Sequence, residues 1–226
     1  MLNKIKNNEE ISMKVLTIAN RKGGAGKSTC AAHFATEAIS GGIKTIIIDM
    51  DSQKTLEGWW TRRQEEDLPL IDPDVHDLQG TLKKIEEKGF DLCIIDTPGD
   101  ASKNALLGIM VADLVLIPSK PTAPDLSAIG RTISMVEEHN KKFIFVLTQG
   151  IVRSKAIFQA SSVLSNFGPV APAVISNRTS YATAMGSGIS ASSIDRLAEE
   201  EIKQVWSFLK ERLFEEKQTK KAKLVA

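Results

Sequence analysis

Three features of this sequence predict a doubly wound α/β fold, with a mostly parallel sheet covered by helices on both faces. Strand-like, loop and helix-like stretches alternate about seven times, the signature of successive βαβ units. The strand-like runs, such as Ile46-Ile47-Ile48 and Cys93-Ile94-Ile95, are continuously apolar, as strands buried on both faces require. A glycine-rich stretch follows the first of these runs, and acids end later ones, where an open parallel sheet gathers its ligands.

The elements follow in order. Val15, Leu16, Ile18 and Ala19 make a first buried strand, and a helix is expected over 28–40, ended by Gly41-Gly42. A second strand spans 44–48, and a helix over 55–64 is open to capping by Asp51 or Ser52. On that helix Trp59 and Trp60 cannot share one face, so one packs and the other is partly exposed. Pro69 and Pro73 break 68–77 into a loop or short edge strand, and a short helix follows over 78–88. Strands are then expected at 91–95, 113–117, 143–148 and 170–175. The intervening helices fall at 104–111 and from Asp125, read as an N-cap, to His139. A last helix over 192–214 carries Ile194, Leu197, Ile202, Val205, Trp206, Leu209 and Leu213 as its packing stripe.

Residues 1–12 read as a polar extension, with Met13 a possible working start; 13–214 as one domain; and 215–226 as a basic tail. The 29 Lys and Arg nearly balance 28 Asp and Glu, so no overall field marks a nucleic-acid or membrane protein, and any DNA contact must be local. Arg178, Arg196, Lys203, Lys220 and Lys221 are the candidates for such a contact. No apolar run reaches the ~20 residues of a membrane span, which makes cytoplasmic residence and no stable membrane association the expectation. Cys30 and Cys93 read as small buried side chains, and His33, His76 and His139 lack ligand spacing.

The chemistry concentrates in Lys22-Gly23-Gly24-Ala25-Gly26-Lys27-Ser28-Thr29. A strand, a loop of glycines and a helix N-terminus together form an anion cradle, because unpaired amides and the helix dipole both favour a phosphate. Lys27 adds a charge for β- and γ-phosphates, and the Ser28 hydroxyl is placed to ligate Mg²⁺. Asp49 and Asp51 follow the second strand, and Asp96 ends the fourth, where it would reach a metal's water shell.

The loop carries Arg21 where an ordinary phosphate loop has its first glycine, and places Lys22 directly ahead of the glycines. This resembles the deviant phosphate loop of the ParA/MinD family of ATPases. Asp49-Met50-Asp51-Ser52-Gln53 is similar to that family's Asp-x-Asp-Pro-Gln motif, with Ser52 in place of proline, and Thr97-Pro98-Gly99 to its switch segment. Pro118, Pro121 and Pro124 resemble the loop of small plasmid-partition members, and Arg178, Ala184 and Gly188 fit a further family pattern.

The resemblance implies hydrolysis of ATP with Mg²⁺, in an ATP-dependent homodimer that binds DNA without sequence preference and acts with a ParB-like partner. It implies nucleotide contacts from Lys22 to Thr29, Gly99 and, at adenine, Gln149. Metal contacts are implied for Ser28, Asp49 and Asp96, and orientation of the attacking water for Asp51. Lys22 would reach the other subunit's phosphates; contact within its own subunit is the alternative. ATP-bound protein would associate with the nucleoid. A MinD-like membrane cycle, or positioning of another cargo, would use the same site.

Overall fold

In a computed structural model, residues 12–100 and 102–214 are described; the expected extension before Ser12 and the tail with Lys220 and Lys221 lie outside them. Seven strands form one parallel sheet: β1 (Lys14–Ile18), β2 (Thr45–Asp49), β3 (Leu70–Ile71), β4 (Leu92–Asp96), β5 (Leu114–Ser119), β6 (Phe143–Gly150) and β7 (Ile175–Ser176). Their order is β3-β2-β4-β1-β5-β6-β7. The first strand is therefore central and the chain winds outward to both sides of it, which opens a crevice at the strands' C-terminal ends.

The strand residues alternate between two cores, because successive side chains leave a strand on opposite faces. Leu16, Ile18, Ile47, Ile94, Leu116 and Val146 pack under α1 (Lys27–Ser40), α2 (Thr55–Thr61), α7 (Thr179–Ser187) and α8 (Arg196–Phe214). Val15, Ile46, Ile48, Cys93 and Ile95 face the opposite side, under α3 (Leu78–Glu87) and α4 (Lys103–Val111). Val115, Ile117, Phe145 and Leu147 continue that side under α5 (Ala123–Glu138) and α6 (Lys155–Leu164). Both cysteines are buried and free.

Several boundaries differ from the sequence reading for identifiable reasons. The strand expected over 170–175 is reduced to an isolated bridge at Val170 and the pair Ile175–Ser176. Pro172 lies between them and can donate nothing to a ladder. The α5 helix is capped by Thr122, whose hydroxyl accepts the Asp125 amide, so Asp125 is not the cap. Its carboxylate turns inward and accepts the Thr122 hydroxyl. The α2 helix is capped by neither Asp51 nor Ser52: the Glu57 amide donates to Asp49. The last helix begins at Arg196, with Asp195 accepting the Leu197 and Ala198 amides, and Ile194 and Leu197 are exposed rather than in its stripe. Trp59 is buried and donates to the Ile189 carbonyl, while Trp60 is half-buried.

Candidate nucleotide site

Between β1 and α1 the backbone turns back on itself, and two glycines make this possible. Gly24 and Gly26 have φ of 71° and 92°, the left-handed region that side chains rarely adopt. Neighbouring strands hold the loop from behind. Thr148 donates to the Ala25 carbonyl at 2.8 Å, Gln149 to the Gly24 carbonyl at 2.9 Å, and Asn20 to the Pro118 carbonyl at 2.6 Å. Asn20 also accepts the Lys22 amide at 2.9 Å. Gly26 is the N-cap of α1 with no side-chain cap, so the first amides of that helix face the crevice.

A cavity of about 470 Å³ sits on this loop, lined by Gly23, Gly24, Lys27, Ser28, Asp51 and Gly99, among others. Thr29 lines it as well. Lys27 is 6% exposed. Burial lowers its pKa, and the charges of Asp96, Asp51 and Asp100 oppose that shift only in part. A Cβ on Gly99 would lie 3.0 Å from the Gly23 Cα and 3.1 Å from the Lys27 amine, so only glycine lets the β4 turn approach the loop this closely.

Asp96 is fully buried, and neither carboxylate oxygen has a hydrogen-bond partner among the described residues. Burial raises its pKa to about 7, with the nearby Ser28 hydroxyl pulling the other way and Asp49 pushing further up. A buried acceptor without a donor, beside a serine hydroxyl on a phosphate-shaped loop, fits a divalent cation that draws its remaining ligands from phosphates and water. Among the described residues no group of three or more His, Cys, Asp or Glu forms a metal cage. Asp49 does not line the cavity. One oxygen accepts the Asp51 amide at 3.0 Å and the other the Glu57 amide at 2.9 Å, so it shapes the loop that presents Asp51.

A second cavity of about 350 Å³ adjoins the first and shares Gly26, Thr29, Thr55 and Gln149 with it. Its lining adds Ile175, Asn177, Tyr181 and Met185, an apolar slot with polar edges. The sequence reading found Gln149 here and missed Asn177, Tyr181 and Met185. Asn177 lies in the turn before α7, and α7, which carries Tyr181 and Met185, has no strong apolar stripe to announce it.

The remaining predicted residues separate. Lys22 lines neither cavity; its amine makes a 2.8 Å ion pair with Asp125, which is 4% exposed. Arg178 borders the second cavity and pairs with Glu201 at 2.9 Å, so its charge is compensated inside the protein. Arg196 pairs with Glu200 at 3.3 Å and Lys203 with Glu199 at 2.6 Å, both on α8. No helix of the described residues is long and apolar enough to cross a membrane.

Fold and site together define a phosphate-loop nucleotide-binding protein of the doubly wound class. The chain belongs to the CobQ/CobB/MinD/ParA nucleotide binding domain family, whose model matches residues 16–189. It is 28% identical to ParA of Rhizobium radiobacter over 181 residues, 75% of this chain and 81% of that protein. It is also 28% identical to the maintenance of carboxysome distribution protein A of Halothiobacillus neapolitanus, over 84% of this chain and 93% of that one. An ATP complex of McdA from Cyanothece superposes with a TM-score of 0.70 at 20% identity, covering 89% of this chain and 96% of that one. At that identity the superposition speaks for the fold.

Proposed function

We propose that this chain is an ATP-driven positioning switch of the partition type. It binds ATP as a monomer, closes into a homodimer around the nucleotide, holds DNA without sequence preference, and is released by a ParB-like partner that stimulates hydrolysis. The loop amides and Lys27 hold the β- and γ-phosphates, and the second cavity takes the base against Gln149 and Tyr181. Ser28 and, through water, Asp96 would hold Mg²⁺, which would supply charge neutralisation of the phosphates. Asp51 orients the attacking water, and Asp49 fixes the loop on which Asp51 rides.

The observation that carries this reading is the placement of Lys22. It sits directly ahead of the phosphate loop yet lines neither cavity of its own subunit, which favours a phosphate in a second subunit as its target. The identity to ParA and to a carboxysome-distribution protein supports a positioning role, and leaves plasmid and protein cargo as two loads for one switch. The test is duplex binding with ATP, with ADP and without nucleotide: tight binding in ATP alone is expected, and equal binding in all three states would refute the switch.

A further inference from the structure

Asp125 raises a problem for any motion of Lys22. Its carboxylate is 4% exposed, and one oxygen takes both the Lys22 amine and the Thr122 hydroxyl. Its other oxygen, Oδ1, is buried with no hydrogen-bond partner among the described residues. If Lys22 swings away, a buried carboxylate loses the ion pair it makes among the described residues, a change that costs several kcal/mol in comparable sites. A motion with that cost would not run at each turnover unless another cation took the place.

One cation is positioned to do so. Lys120 ends the β5 strand's exit, half-buried, with its amine 3.7 Å from where a Cβ on Gly24 would stand. It therefore lies beside the same loop that bears Lys22. Asp125 is held below the usual carboxylate range despite its burial, by the Lys22 and Thr122 hydrogen bonds and by the charges of Lys22 and Lys120. Lys120 lines neither cavity.

We propose that Lys120 is a positioning residue that takes over Asp125, through the vacant Oδ1, when Lys22 leaves to contact a nucleotide. The exchange keeps the buried carboxylate compensated in both states and so makes Lys22 free to move. That Lys22 moves at all rests on the dimer reading above; that the two lysines share Asp125 does not.

The two claims are tested separately. In the nucleotide-free protein, urea unfolding of Lys22→Ala, Lys120→Met and the double variant measures whether each lysine covers for the other. Each single change is expected to raise the unfolding constant by about threefold or less, and the double change by about thirtyfold beyond the product of the two. Adding Asp125→Asn removes the charge that needs covering, so it is expected to abolish the excess and to restore folding if the double variant does not fold. Single effects that simply multiply, or an excess that survives Asp125→Asn, would overturn the exchange.

The second arm follows self-association by light scattering with a slowly hydrolysed ATP analogue. Lys120→Met is expected to weaken association about tenfold, with Lys120→Arg and Lys120→Met/Asp125→Asn both near wild type and analogue binding to the monomer unchanged. Association of Lys120→Met equal to wild type would overturn its role in releasing Lys22. A wild-type protein that stays monomeric would instead refute the dimer reading, leaving the unfolding cycle to decide whether the lysines share Asp125.

Discussion

His33 offers a sharp prediction about what holds the site together. It lies on α1, the helix that follows the phosphate loop, 1% exposed, with both ring nitrogens lacking a hydrogen-bond partner. Its ring packs 5.2 Å from that of Tyr181, which lines the second cavity. Burial depresses its pKa to about 4. The unfolded chain binds a proton on this residue near pH 6.5 and the folded protein only near pH 4, so folding stability is complete above 6.5 and falls as pH drops between the two. The full loss is about 3 kcal/mol, of which about 2 kcal/mol has gone by pH 5. Asp96, whose pKa is raised to about 7, acts in the opposite sense over the same range, so the wild-type curve alone is not diagnostic. The difference between wild type and His33→Leu is, because every other group cancels. Urea denaturation of both proteins at pH 8, 6 and 5 should show the variant gaining on wild type by about 2 kcal/mol between the first and last condition. A difference that does not change with pH would refute the claim that His33 is buried uncharged in the seam between α1 and α7.

Other perturbations separate binding from folding. Lys27→Ala should reduce ATP turnover by about a thousandfold or more, measured as phosphate release, since charge placed on the phosphates does most of the work in this chemistry. Gly99→Ala would push a methyl against Gly23 and the Lys27 amine, and calorimetric titration should show nucleotide affinity down about tenfold with the thermal midpoint nearly unchanged. Gly188→Ala acts elsewhere: a Cβ there would overlap the Arg62 carbonyl carbon and the Arg63 nitrogen, at a φ of +72°. It should cost about 2–3 kcal/mol in urea unfolding and separate α7 from α2.

What the sequence made legible was what depends on neighbours in the chain. Gly24 and Gly26 announce a left-handed loop, and the runs at Ile46–Ile48 and Leu92–Ile95 announce central strands, because each demand is local. The role of Asp49 was not local. A carboxylate at a strand end suits either a metal or a helix cap, and the bond it accepts from the Glu57 amide eight residues on is delivered only by the turn of the folded loop. Arg178 looked like an open surface charge until α8 brought Glu201 against it from 23 residues away. Asp125 was partly readable: Thr122 and Asp125 have the spacing of a capping box, which places the cap three residues earlier than the acid. The α7 helix escaped because Thr-Ser-Tyr-Ala-Thr-Ala-Met-Gly-Ser offers one large apolar face residue per turn at most, and its burial rests on small side chains such as Ala184.

The two lysines of the loop stand in opposite electrostatic conditions. Lys27 is buried among carboxylates, yet Asp96 forms no hydrogen bond, and desolvation outweighs the attraction of the acids on the Lys27 amine. Charges in that condition are strained toward neutrality until a ligand of the right charge arrives, so Lys27 has every reason to remain in place and wait for phosphate. Lys22 is already compensated by Asp125, with a 2.8 Å contact. A cation so satisfied moves only if its partner is not stranded by the departure. The vacant Oδ1 of Asp125 and the amine of Lys120 beside Gly24 supply that condition, which makes the resting pair a reversible clasp rather than a permanent strut.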